Sequence, residues 1–198
     1  MKSAHLCVVR HGETDWNACG ILQGWLDVPL NDLGREQARR LAGGYAPFGF
    51  AAVWASPLAR ASETADIIGE ALGLPPTIHH EGLKERNFGA YQGVSKARLA
   101  ERNPALLRRI VERDPAACFE GGESMDAFAD RVLAAVREIG ARHRGQRVLV
   151  VVHGWVMDVV TRHIGARARD AILGHKRGNG ESIWLGVDGE TIAEGQRP

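Results

Sequence analysis

This 198-residue chain is short of most features that would assign it quickly. It has almost no net charge, +1 at neutral pH, so no global excess draws it to nucleic acid or to an anionic membrane. Any anion site must therefore be a local cluster. It has only three cysteines, Cys7, Cys19 and Cys118, an odd number without metal-ligand spacing. That excludes a disulfide framework and leads us to expect free thiols in a reducing compartment, the cytoplasm. No apolar run approaches the length that crosses a bilayer. The N-terminal apolar stretch is short, ends at Arg10 and has no cleavage-site pattern after it, so no signal peptide is expected. Repeats, low-complexity tracts and linkers are missing too, as is a carboxylate cluster of the kind that holds a divalent cation. What remains, 44% hydrophobic and 25% charged residues, is the composition of one folded domain over residues 1–198.

What is present alternates between strands and helices. Ala4–Val9 reads as a strand buried on both faces, Ala51–Ser56 as a second, Thr77–His79 as a short third and Arg147–Val152 as the most hydrophobic. Helices are expected over Asn31–Tyr45, with Asn31 as cap, from Pro57 to Leu72, over Ser124–His143, and from Trp155 to Ile164. Ser95–Glu112 has helical spacing but is polar and broken by Pro104, which suggests a peripheral cap near residues 90–120. Ser182–Val187 reads as a late strand. The expected fold is a three-layer α/β sandwich: a mixed, mostly parallel sheet flanked by helices, with a small helical cap.

Three strand ends carry the chemistry. Val8–Val9 runs into Arg10-His11-Gly12, Val53–Ala55 into Ser56-Pro57-Leu58-Ala59-Arg60, and Val150–Val152 into His153-Gly154. Parallel strands put such ends on one edge of a sheet, where ligands of open α/β folds bind. Two arginines and two histidines would converge there. Arginine offers a rigid fork of donors to phosphate oxygens, and neutral imidazole is a nucleophile toward phosphorus. The expected site binds phosphate and can form a phosphohistidine.

Arg10-His11-Gly12-Glu13 with Asn17, Ser56-Pro57…Arg60, Glu85 within Leu83–Gly89 and His153-Gly154 together resemble the histidine phosphatase superfamily, also called the phosphoglycerate mutase-like family. The resemblance runs in order from Val8 to about Gly154. It implies that His11 is the phosphorylated nucleophile, that Arg10, Asn17, Arg60 and His153 hold the transferred phosphoryl group, and that Glu85 protonates the leaving oxygen. It implies less firmly that Gln23-Gly24 lies near the substrate. On this reading Arg10, Arg60 and a protonated His153 supply the positive charge, without a metal.

Within the family, the chain departs from the mutases. Where they carry Gly-Asn-Ser-Leu-Arg after the second histidine, it has Gly154-Trp155-Val156-Met157-Asp158. Trp155 and the short cap favour a phosphatase whose phosphohistidine is open to water. Arg86, Lys96 and Arg108-Arg109 loosely resemble mutase residues that hold a phosphoglycerate's negative groups. A mutase dependent on 2,3-bisphosphoglycerate is thus the second reading, and a non-catalytic phosphate-binding module the third. That module would have no need of both His11 and Glu85. No cofactor is expected outside the mutase reading. The expected partner is a small phosphoester: a sugar phosphate, a phosphoglycerate-type acid or a ribazole phosphate, with protein phosphohistidine as a further candidate. Trp155 and the cap are expected to shape that choice, and Arg86 and Trp155 are candidates for substrate contact. Structural roles are expected for His5, His79, His80, His143, His163 and His175, and an exposed helix face for Arg108-Arg109.

Overall fold

Burial along the first strand decides the layering. In β1 (Ala4–Arg10), Leu6 and Val8 point to one face and Cys7 and Val9 to the other, and all four are buried. Side chains alternate across a strand, so this one needs cover on both sides. The computed structural model describes residues 2–174 and 176–198 and supplies that cover. The role expected for His175 falls outside the described residues.

Six strands form one sheet in the order β3-β2-β4-β1-β5-β6. β4 (Arg147–Val152) runs parallel to both β1 and β2 (Ala52–Ala55), and β2 runs parallel to β3 (Ile78–His79). β5 (Ser182–Asp188) lies antiparallel to β1, and β6 (Thr191–Glu194) antiparallel to β5. The register pairs Arg10 with Val152 and Ala55 with Val151. The residues after β1, β2 and β4 therefore leave the sheet along one edge.

On one face pack α6 (Met125–Arg142) and α7 (Gly154–Ile164), with Phe128, Val132, Val136 and Met157 against Leu6, Val8, Val148 and Val150. On the other pack α2 (Asp32–Tyr45) and α3 (Ala59–Ala71), burying Ala38, Ala42, Ala61 and Ile68 against Val9, Val53 and Val151. Asn31 caps α2 by accepting from Gly34 N–H at 2.8 Å. α3 begins two residues later than Pro57 suggested. Leu58 stays extended, and the cap comes from a distant residue: Asp27 accepts from Ala59 N–H at 2.6 Å.

The peripheral segment forms two helices, α4 (Lys96–Arg102) and α5 (Pro104–Glu112). Pro104 starts the second rather than merely breaking the first, because a first-turn proline has no hydrogen bond to lose. Asn103 caps α5 through Leu106 N–H, and Arg113 closes it in the left-handed conformation at φ 59°. α7 anchors this end: Asp158 ion-pairs with Arg113, and Arg162 donates to the carbonyls of Arg113 (2.6 Å) and Ala171 (2.8 Å). The short α1 (Asp15–Ala18) and β6 were not expected. Four-residue elements have too few positions for a periodic pattern.

Candidate active site

Arg10 is the last residue of β1, His11 and Gly12 follow it, and the turn is held from three sides. Gly12 N–H donates to Thr64 Oγ1 at 3.0 Å, and Thr64 in turn donates to the Arg60 carbonyl at 2.7 Å. Asn179 Nδ2 donates to the carbonyls of His11 (2.8 Å) and Gly12 (3.0 Å). A Cβ on Gly12 would come within 2.5 Å of the Gly34 carbonyl oxygen, so α2 seats directly on this turn only because the residue has no side chain.

The fixed turn places the two histidines edge to face, ring centroids 5.1 Å apart and planes inclined 60°. His11 Nδ1 lies 2.6 Å from its neighbour's carbonyl, Gly12 O. A carbonyl can only accept, so Nδ1 carries the proton and Nε2 keeps its lone pair. Burial, and then the charges of Arg60 and Arg10, hold the His11 imidazole well below its ordinary pKa. It is neutral and nucleophilic at pH 7.

His153 stands beside His11 in the same buried setting. It is fully buried, neither ring nitrogen has a protein partner, and burial together with Arg60, His11 and Arg10 lowers its pKa well below the ordinary value. Burial alone thus favours the neutral ring over the imidazolium expected around the transferred phosphoryl group. A phosphate dianion beside it would restore that form, because an adjacent opposite charge favours the charged state.

Arg10 and Arg60 keep their charge: desolvation lowers both only to about 10. Arg60 uses Nη1 and Nη2 on the carbonyls of Leu26 (3.0 Å) and Gly24 (2.8 Å), and Arg10 uses Nη1 on the Arg177 carbonyl (2.7 Å). The Nε of each is buried with no protein partner. Together with both nitrogens of His153, these form a concentration of unpaired buried groups that marks an anion site.

Glu85 reaches the same place from the other side. Its carboxylate accepts from Arg86 N–H at 3.0 Å and from Trp155 N–H, in the first turn of α7, at 3.2 and 3.3 Å. Its backbone carbonyl is pinned by Trp25 Nε1 (2.7 Å) and Arg131 Nη2 (2.9 Å). Arg131, on α6, also holds the carbonyls of Gly82 and Lys84 and pairs in two-pronged fashion with Glu123. Sequence reading overlooked Arg131 and Asn179. Neither belongs to a strand end, and only the tertiary fold brings them to the site.

Arg10, His11, Arg60 and Glu85 line a cavity of about 350 Å³, together with Asn17, Gln23, Gly24 and Trp155, and His153 is buried behind it against His11. Asn17 accepts through Oδ1 from Thr14 N–H, which turns its amide nitrogen to the cavity side. Gln23 donates to Thr14 Oγ1 at 2.9 Å. Arg86, expected at the substrate, is placed otherwise. Its Nε and Nη2 donate to the carbonyls of Glu123 and Ala117, its guanidinium lies over Phe119 and Trp155, and it is not part of the cavity wall. Arg108 and Arg109 are exposed. His80 pairs with Glu138, His143 accepts from Trp54 and contacts Gln146, and His79 contacts Ser62. Lys96, Arg113 and Lys176 also line the cavity.

Comparison with known proteins supplies the family. A metal-independent phosphoserine phosphatase from Arabidopsis thaliana is 38% identical over 160 residues, 78% of this chain and 66% of the relative. Phosphoglycerate mutase-like protein 4 from the same plant is 39% identical over 168 residues, 84% and 71%. The solved structure of Bacillus stearothermophilus YhfR superposes with a TM-score of 0.87 at 30% identity, covering 96% of this chain and 95% of that one. The family model that matches residues 6–194 takes in the buried imidazole pair, both arginines and Glu85 in one span, and by it the chain belongs to the histidine phosphatase superfamily, branch 1.

Proposed function

We propose that the protein is a phosphomonoesterase that hydrolyses a small phosphorylated metabolite through a phosphohistidine on His11. The observation that carries this reading is the 2.6 Å contact of His11 Nδ1 with the Gly12 carbonyl, which leaves Nε2 as an unprotonated nucleophile beside two arginines. Nε2 attacks phosphorus as the ester oxygen leaves, and Glu85 in its acid form delivers the proton that oxygen needs. Arg10, Arg60, Asn17 and His153 hold the equatorial oxygens, which carry most of the charge. Glu85 then takes a proton from the water that displaces His11 and breaks the P–N bond. Both half-reactions thus use one carboxylate.

Metal independence belongs to the same reading. The arginines and His153 supply charge where a metallophosphatase uses a cation, and a relative is named for a metal-independent activity. The three free cysteines support a reducing, cytoplasmic setting. Among the described residues no helix is long and apolar enough to cross a membrane.

The test is turnover of 4-nitrophenyl phosphate and an alkyl ester panel by the purified protein, with and without a strong chelator. Turnover should survive chelation nearly unchanged. Activity that disappears with chelator and returns with a divalent ion would overturn the metal-free reading. A parallel arm with added 2,3-bisphosphoglycerate separates the phosphatase from a mutase, which would interconvert phosphoglycerates only when that compound is supplied.

A further inference from the structure

Arg162 has one donor to spare. It is 3% exposed on α7, and its Nε and Nη2 donate to the carbonyls of Ala171 (2.8 Å) and Arg113 (2.6 Å). Its Nη1 is buried and has no partner among the described residues. Asp158, the carboxylate whose charge it feels first, is ion-paired with Arg113 instead. A buried guanidinium with an open N–H costs stability until an acceptor reaches it.

The same side chain lines a second cavity, of about 150 Å³, formed by α6, α7 and the chain just after α7. It shares no lining residue with the catalytic cavity. Its wall holds three further arginines, Arg137, Arg167 and Arg169, against one carboxylate, Asp130. Arg169 is paired with Asp130 (2.6 Å) and Asp126 (3.3 Å), and Arg137 with Glu190 (3.1 Å). Arg167, like Arg162, has no ion pair among the described residues, so two positive charges stand uncompensated in the wall. Burial, then the charges of Arg137 and Arg169, hold the imidazole of His163 in the same wall below its ordinary pKa. The rest of the lining is apolar, with Leu133 and Val159 buried beneath it. A space of this size takes a benzene-sized body. Open cations and a hydrocarbon floor together suit an anion that carries an apolar part.

We propose that this cavity is an effector site for a small organic anion, a carboxylate or phosphate head on a compact apolar body, with the head held by Arg162 and Arg167. The occupant acts on the catalytic cavity through Arg162. Of the two carbonyls that Arg162 holds, one belongs to Arg113, which lines the catalytic cavity. The other, of Ala171, lies three residues before Gly174 on the same wall. An anion on the open donor fixes the guanidinium where it grips both, so the wall is held in place before the ester arrives and the ester binds more tightly.

The experiment labels the methionine methyl groups with carbon-13. Met125 lines the second cavity and Met157 is packed in the core, so the two report separately. Benzoate or phenylphosphonate should move the Met125 signal, assigned with Met125→Leu, to saturation with a midpoint on the order of 1 mM. Met157 should stay in place, and whichever head binds more tightly identifies the class. Benzamide, the neutral counterpart of benzoate, should bind at least about fivefold more weakly. Arg167→Gln, at an exposed position, should raise the benzoate midpoint about threefold. Arg162→Lys should raise it further; where that buried variant fails to fold, Arg167→Gln carries the test. At saturating benzoate the KM for 4-nitrophenyl phosphate should fall. Orthovanadate in the catalytic cavity should in turn tighten benzoate binding about fivefold, because coupling between two sites is reciprocal. No saturable movement of Met125 with either anion, equal binding of benzamide, or a midpoint unmoved in Arg167→Gln overturns the site. A KM that does not fall, or a benzoate midpoint that orthovanadate leaves unchanged, overturns the coupling. If no phosphoester is hydrolysed, the phosphatase reading fails, and the Met125 titrations with and without orthovanadate still decide this inference.

Discussion

His11 and His153 face each other edge to plane at 5.1 Å, and both are held neutral by burial and by the same two arginines. A phosphate beside the pair would favour the charged form of either ring. Four expectations test this arrangement and its supports.

The first concerns the nucleophile. Rapid quenching with a labelled phosphoester should trap an acid-labile, base-stable label on the wild type and none on His11→Ala. His11→Ala should also lose turnover by several orders of magnitude. Label retained at full level in that variant would remove His11 from the mechanism.

Stability should respond to pH through the same pair. In the unfolded chain a histidine takes up its proton near pH 6.5, whereas the folded pKa of both lies well below that. Between these values the unfolded state binds more protons, so stability is complete above about pH 6.5 and falls as the pH drops. Each histidine contributes a slope of about 1.4 kcal/mol per pH unit. Urea unfolding from pH 7.5 to 5 should therefore show a shallower loss in His153→Gln than in the wild type. Inorganic phosphate should flatten the wild-type curve. Parallel curves for the two proteins would mean that His153 is protonated in the folded state.

Glu85 and Arg60 should separate by leaving group. Arg60→Ala should depress transfer from every ester, since it grips the phosphoryl group and the Gly24–Leu26 loop. Glu85→Gln should slow phosphohistidine formation from an alkyl ester by about 10²–10⁴-fold, and from a nitrophenyl ester much less. Arg131→Lys, which loosens the backbone carrying Glu85, should follow the Glu85 pattern at smaller amplitude. Equal slowing of both esters by Glu85→Gln would make Glu85 a positioning residue. Glu13 and Asp15 are poor substitutes, because neither lines the cavity.

Most of this site was legible in the sequence because strand ends announce themselves. A buried apolar run followed by Arg10-His11-Gly12 or His153-Gly154 needs no knowledge of the rest of the fold. Ala51–Ser56, Arg147–Val152 and Ser182–Val187 were legible for the same reason. Arg131 was not, because it sits in an ordinary amphipathic helix and acts through backbone carbonyls almost fifty residues away. The setting of Arg86 was not legible, because its Nε and Nη2 are taken up by the carbonyls of Glu123 and Ala117, distant in the chain. The depth at which His153 is buried was not legible, because residue type does not report desolvation. The start of α3 was misplaced because its cap, Asp27, lies more than thirty residues before it.

Backbone contact gives the fourth expectation. Gly12→Ala forces a methyl to 2.5 Å from the Gly34 carbonyl oxygen, and Gly34→Ala forces one to 2.1 Å from that of Glu13. Neither obstacle is a flexible side chain. Each substitution should cost about 1–3 kcal/mol, read as a lower urea midpoint, with activity lost because the His11 turn moves. An unchanged midpoint and activity would contradict the close seating of α2 on this turn.

The parallel order of β2, β4 and β1 has a consequence for how this enzyme could change. Arg10, His11, Arg60 and His153 stand on the sheet or just past it, in the most deeply buried part of the molecule. Lys96, Arg113 and Lys176 stand on the peripheral helices and on the segment before β5. The inner and the outer walls of the cavity are thereby carried by separate pieces of chain. Exchanging residues 95–113 and 165–178 should redirect the enzyme to another ester while the bond-breaking apparatus stays as it is, much as a tool holder accepts different bits.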